Sequence, residues 1–146
     1  MNGLGVGLDL LPAIIFLVAA FIGFAMGTSW GTIALILPII IGVFDAADPL
    51  FLVAVGSALA GAVYGDHISP ISDTTILSSA GAKCNHLRHV ATQIPYATLV
   101  MIVCFVGYVI AGFTKSPWIS LALGVVLIVI AVLVLVRMEA SKKAKA

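Results

Sequence analysis

Read for the order of apolar and polar positions, the chain is a series of long oily runs cut by a few polar clusters. Residues 94–113, IPYATLVMIVCFVGYVIAGF, and residues 117–136, PWISLALGVVLIVIAVLVLV, carry no charge. Each matches the roughly 20 apolar residues that a bilayer-spanning helix needs. Pro95 falls in the first turn of the former, where proline is tolerated. Ser116, Pro117 and Trp118 supply the latter with an N-cap, a first-turn proline and an interfacial aromatic ring. The connection TKS (114–116) is short, which predicts an antiparallel helical hairpin.

The first ninety residues divide differently. Residues 10–26 and 33–44 are apolar and are separated by GTSWGT (27–32). DAADP (45–49) makes a turn, residues 50–64 are apolar, and GDHISPISDTTILSSAG (65–81) follows. The pieces 33–44 and 50–64 are too short to cross a bilayer alone. Short helices flanking Gly/Ser/Thr/Pro breaks are the mark of discontinuous membrane helices, which build substrate sites near the midplane. Residues 50–82 read as one discontinuous crossing. Its helical parts rise about 34 Å at about 1.5 Å per residue, against a hydrocarbon core of about 30 Å. Residues 10–44 read either as one broken crossing or as a re-entrant hairpin with GTSWGT at its tip. The expected fold is an all-α integral membrane domain over 1–136 with a basic tail, 137–146.

Composition agrees. Of 146 residues, 62% are apolar and 9% charged, whereas soluble domains run near 45–50% and about 25%. Membrane lipid is therefore the expected surroundings, and a net charge of +1 gives no reason to expect a nucleic-acid partner. No basic residue precedes the first apolar run, so the n-region of a secretory signal is missing. GLGVG (3–7) reads as a loop. The tail carries Arg137, Lys142, Lys143 and Lys145 against Glu139, which predicts a cytoplasmic C-terminus. Counting back places Lys115 outside and the turn KCNHLRH (83–89) inside. Cys104 lies in an apolar run and Cys84 in a polar turn, so no disulfide is expected.

Most charges sit at the ends of apolar segments; Asp66 and Asp73, with His67, read as lying at depth, the alternative being that 65–75 is an ordinary aqueous loop. A charge at the bilayer centre costs on the order of 2.5–3.5 kcal/mol, and such residues usually mark an ion or proton path. Pro70 lacks the N–H that would bond the Asp66 carbonyl, so that carbonyl is expected to be free. Ser69 is pushed toward an extended conformation, and Gly65 permits unusual dihedrals at the start of the break. Carboxylates, the hydroxyls of Ser69, Ser72, Thr74 and Thr75, and backbone carbonyls are hard ligands suited to a cation such as Na⁺ at Asp66 and Asp73. Desolvation favours the protonated form of a carboxyl and a bound cation favours the ionised form. Competition for one carboxylate therefore suffices to couple H⁺ and Na⁺; which aspartate holds the proton is open. His67 reads as a pH sensor or as a hydrogen-bonded structural histidine. His86 and His89 read as interfacial. In GTSWGT, the hydroxyls of Thr28, Ser29 and Thr32 either complete the ion's shell or bond their own backbone, and Gly27 and Gly31 loosen the helix. Small-xxx-small spacings at Gly23/Gly27, Gly27/Gly31 and Gly61/Gly65 permit close helix approach. No metal cluster, catalytic triad or phosphate loop is legible, so no enzyme activity and no cofactor are expected.

GTSWGT followed by LP, and then GDHISPISDTTILSSAGAKCNHLRHVATQIPYA, resembles the C-terminal part of the NhaC-type Na⁺/H⁺ antiporters. The resemblance is strong over 27–112 and otherwise rests on hydropathy. It implies a bacterial secondary transporter of the inner membrane, with one transporter-type repeat: a re-entrant or broken helix pair, a discontinuous helix and two full transmembrane helices. It favours the hairpin for 10–44. It assigns the ion path to Gly27–Thr32 and to Asp66, His67, Ser69, Pro70, Ser72, Asp73, Thr74 and Thr75. Na⁺ and H⁺ would be the cargo. Relatives of that family exchange organic acids or take up amino acids, so a carboxylate or amino-acid transporter is the alternative, and a non-transporting subunit or truncated remnant is another. Family members carry two repeats, so the chain is expected to need a second repeat or a partner subunit.

Overall fold

The computed structural model describes residues 3–143; Met1, Asn2 and residues 144–146, with Lys145 of the basic tail, lie outside them. Six helices follow in order: α1 (Gly3–Met26), α2 (Ser29–Val43), α3 (Pro49–Ile68), α4 (Asp73–Gly81), α5 (His86–Thr114) and α6 (Pro117–Lys143). Within them Gly7–Met26, Pro49–Ile68 and His86–Thr114 are long and apolar enough to cross a bilayer, and α6 carries a shorter apolar stretch, Trp118–Val134. The chain is an all-α membrane protein.

Several boundaries differ from the apolar pattern, each for a local reason. GLGVG is not a loop: α1 is helical from Gly3. A helix satisfies its backbone internally, which matters most where water is scarce. α5 starts at His86 rather than at 94. Its cap is Asn85, whose side chain accepts the Arg88 N–H at 3.0 Å, so Pro95 lies inside the helix. α3 continues to Ile68, four residues past the expected end of its apolar run, and Gly65 sits within it rather than at the break.

The core is built where α1 and α3 pack side by side. The buried stripe of α3 is small: Ala54, Ser57, Ala58, Gly61, Ala62 and Gly65. It meets Phe16, Ala19 and Ala20 of α1, all buried. A Cβ on Gly61 would run into the Phe16 carbonyl, one on Gly65 into the Ala20 carbonyl, and one on Gly23 would come within 2.6 Å of the Ala62 carbonyl oxygen. Numbers rise together along both helices, so α1 and α3 are parallel. The return is made by α2, whose Leu35–Phe44 side lies against Leu11–Ile22 of α1. Ile36, Ile40 and Phe44 join Ala19, Leu50, Ala54 and Ala58 in one apolar cluster.

α5 runs antiparallel to α3. Tyr108 Oη donates to the Gly56 carbonyl at 2.9 Å and Tyr64 Oη lies 3.5 Å from Thr98 Oγ1. At its far end Gly112 abuts the Asp9 carbonyl, and Lys115 pairs with the Asp9 carboxylate at 3.8 Å. α6 sits outermost, tied to α5 by Ser120 Oγ donating to the Gly107 carbonyl at 2.7 Å.

The close α1–α3 contact sets a test. Gly65→Ala should lower stability by about 1–3 kcal/mol, the usual cost of an overpacked core, whereas a Cβ at Gly42 meets nothing. Thermal unfolding in detergent should show Gly65→Ala melting earlier and Gly42→Ala unchanged. Equal melting of the two would mean the helices do not approach this closely.

Candidate functional site

Two interruptions of helix meet on the parallel pair. The first is Gly27–Thr28, where the chain turns from α1 into α2; Gly27 takes φ +64°, a conformation that favours glycine. Thr28 caps α2, its Oγ1 accepting the Gly31 N–H at 3.5 Å. The second is Ser69–Ser72, between α3 and α4. Ser69 adopts the extended conformation that Pro70 imposes (φ −74°, ψ 129°),, and Ser72 caps α4 through the Thr75 N–H. Ser69 Oγ joins the two, donating to the Phe24 carbonyl at 2.8 Å. A Cβ on Gly27 would fall 2.8 Å from the Ile71 carbonyl oxygen, so no larger residue fits between the breaks.

Asp66 lies on the stripe that faces α1, one helical turn past Ala62, which meets Gly23,. It is 6% exposed, and its Oδ1 is buried with no hydrogen-bond partner. A buried polar atom without a partner is costly and calls for an explanation. Asp73 is different. It sits exposed in the first turn of α4, its Oδ1 accepting the Thr74 N–H at 2.7 Å. The two carboxylates are thus on opposite sides of the break.

The remaining candidates separate in the same way. Ser69, Ser72 and Thr75 are buried. Ser72 Oγ and Thr74 Oγ1 are 2.9 Å apart. Thr32 is fully buried and its Oγ1 donates to the Thr28 carbonyl at 2.9 Å, which matches the backbone-bonding alternative. Ser29 is half-buried in the first turn of α2 and His67 is exposed. Gly31 lies inside α2, a Cβ there coming within 2.9 Å of Thr28 Cγ2. Gly65 serves the helix contact described above.

The expectation of free carbonyls at the break is overturned. The Asp66 carbonyl, which Pro70 cannot reach, accepts from the Ser69 N–H at 3.0 Å. The Ser69 carbonyl accepts from the Ser72 N–H at 3.3 Å. The His67 carbonyl accepts from Gln93 Nε2 and the Pro70 carbonyl from His86 Nε2. Tight turns recover what proline removes, and α5 supplies the rest. Sequence reasoning missed Gln93 and gave His86 only an interfacial place. The one signal available was their spacing of two helical turns, which puts both on one face of α5. Among the described residues, Asp66 Oδ1 is the buried side-chain atom left without a partner.

Comparison with known proteins follows the same region. The model of the Na⁺/H⁺ antiporter family matches residues 3–113. An uncharacterized protein of Haemophilus influenzae is 51% identical over 110 residues, covering 75% of this chain and 21% of the relative. A malate-2H⁺/Na⁺-lactate antiporter of Bacillus subtilis is 34% identical over 113 residues, covering 73% of this chain and 24% of its own length. The arginine/ornithine antiporter ArcD of Halobacterium salinarum is 30% identical over 111 residues, 73% of this chain and 23% of that protein. The chain thus spans about a quarter or less of the length of these relatives. No solved structure matches.

Ser69 gives the site its test. Ser69→Ala removes the bond between the breaks and strands the Phe24 carbonyl, a loss of about 1–3 kcal/mol. Amide hydrogen exchange at 24–28 and 69–72 should quicken together in Ser69→Ala and stay slow in Ser69→Thr. Faster exchange at only one break would show that Ser69 does not couple them.

Proposed function

The chain belongs to the Na⁺/H⁺ antiporter family, and from that premise we propose that it forms one repeat of a secondary antiporter in which Na⁺ and H⁺ compete for Asp66. The observation that carries this reading is the buried, unpartnered Asp66 Oδ1 beside two helix breaks. In this scheme the carboxyl takes a proton when the cation is absent and gives it up when the cation binds. One group serving both ions in turn is sufficient for exchange. The C-terminal end of α3 points its partial negative charge at the same place, which favours a cation there. Ser69, Ser72, Thr74 and Thr75 supply hydroxyl oxygens around it, while Asp73, at the mouth of the break, attracts cations and is not the coupling group. Thr28, Ser29 and Thr32 shape the opposing break. His67, at the exposed end of α3, is a candidate for sensing pH.

α1 and α2 act as a re-entrant hairpin. From Asp9 to Gly27, α1 rises about 27 Å, whereas α5 extends about 39 Å from Gly112, beside Asp9, to His86. The hairpin tip therefore stops short of the α5 N-terminus. In inverted-repeat transporters the site forms between two repeats, so a second repeat, on the same protein or on a partner subunit, completes the ion's shell. The protein is a multi-pass membrane protein; we place it in a bacterial inner membrane with the C-terminus in the cytoplasm, following the basic residues of the tail and of the turn before α5.

A second reading has its own support. α4 directs its N-terminus into the break with Ser72 as cap, and half-helix N-termini hold anionic substrate groups in transporters. The malate-2H⁺/Na⁺-lactate and arginine/ornithine antiporters among the relatives fit an organic-acid or amino-acid cargo coupled to the same carboxylate. A carboxylate that raises the melting temperature only in the presence of Na⁺ would favour this reading over simple Na⁺/H⁺ exchange. A chain with no activity in its own membrane would instead be a non-transporting subunit or remnant.

In vesicles from host membranes carrying the substituted chain, Asp66→Asn should abolish Na⁺-driven proton movement, and Asp73→Asn should leave the maximal rate within a few-fold of the parent. Full exchange in Asp66→Asn rejects the assignment.

A further inference from the structure

α5 does more at the break than pack against α3. Three features of the break leave backbone carbonyls without their helical partners: Pro70 has no N–H for the Asp66 carbonyl, the Ile71 N–H turns to Ser69 Oγ at 3.3 Å instead of to the His67 carbonyl, and the Thr74 N–H turns to Asp73 Oδ1 at 2.7 Å instead of to the Pro70 carbonyl. Two of those carbonyls are met from outside the α3–α4 segment. Gln93 Nε2 donates to the His67 carbonyl, and His86 Nε2 lies 2.7 Å from the Pro70 carbonyl oxygen. A carbonyl can only accept, so Nε2 of His86 carries a proton. The other ring nitrogen, Nδ1, is 3.1 Å from Ser79 Oγ on α4. Ser79 Oγ is also 2.9 Å from the Ile76 carbonyl, and its single proton serves one of these at a time. His86 therefore links three elements: the break, α4 and the first turn of α5.

We infer that His86 and Gln93 are positioning residues that fix the shape of the break by holding the His67 and Pro70 carbonyls. The geometry they hold presents the Asp66 carboxylate and the neighbouring hydroxyls to the cation. If the clamp is removed, the carbonyls turn free, the break loses its geometry and the cation binds less well, although no group that touches it has changed. This rests on the antiporter reading for its consequence, but the clamp itself does not.

The experiment pairs two readouts on the full chain in host-membrane vesicles. His86→Ala and Gln93→Ala should raise the apparent KM for Na⁺ about tenfold with the maximal rate within twofold of the parent, and should speed amide hydrogen exchange at 67–73 about tenfold. His86→Gln, which keeps a donor at the Nε2 position, should restore both; His86→Asn, whose amide reaches only the Nδ1 position, should restore neither. Parent-like exchange and KM in His86→Ala, or no rescue by glutamine, overturns the inference. A vesicle preparation with no Na⁺-driven flux at all would count against the antiporter reading alone, because hydrogen exchange in the same four variants still decides the clamp.

Discussion

Where a helix stops, its end carries backbone groups without intrahelical partners, and those that are buried need partners elsewhere in the protein. That requirement organises this molecule. Its two interruptions are placed against each other, so that Ser69 of one serves the Phe24 carbonyl of the other and the Ile71 carbonyl rests on Gly27. The stripe of small residues on α3 brings α1 close enough for this to occur. Had Gly61 or Gly65 carried a side chain, the parallel helices would stand apart and the breaks would lose contact.

Several backbone groups at the second break find partners outside regular helical pairing. Caps, a tight turn and two side chains of α5 occupy the carbonyls of Asp66, His67, Ser69 and Pro70. Asp66 Oδ1 is left over. That buried carboxylate oxygen without a partner is the place where the proposed exchange of a proton for a hard cation would occur. The contrast with Asp73, exposed and bonded to its own helix, separates two carboxylates that look alike in the sequence.

Much of this was legible in residue order. The apolar runs 94–113 and 117–136 lie inside α5 and α6, and both interruptions fall within the polar stretches GTSWGT and GDHISPISDTTILSSAG. Pro70 marked its break because a missing N–H acts locally. The extent of α3 was not legible: Gly65, Asp66 and His67 look like loop residues, yet helical bonding persists until the conformation Pro70 imposes on Ser69 ends it. Nor could the partners be foreseen. Ser69 and Phe24 are 45 positions apart, and Gln93 and His67 are 26 apart. A periodic pattern reports which face is apolar, not which distant side chain will close a carbonyl.

The central claim is that Asp66 holds a proton which the cation displaces. Infrared difference spectroscopy on adding Na⁺ to the protein in host-lipid membranes reads that step directly. The account predicts that one protonated-carboxyl band disappears on Na⁺ addition and that this change is missing in Asp66→Asn. An Asp66→Asn spectrum with the same loss, or a parent spectrum with no carboxyl change, would contradict it.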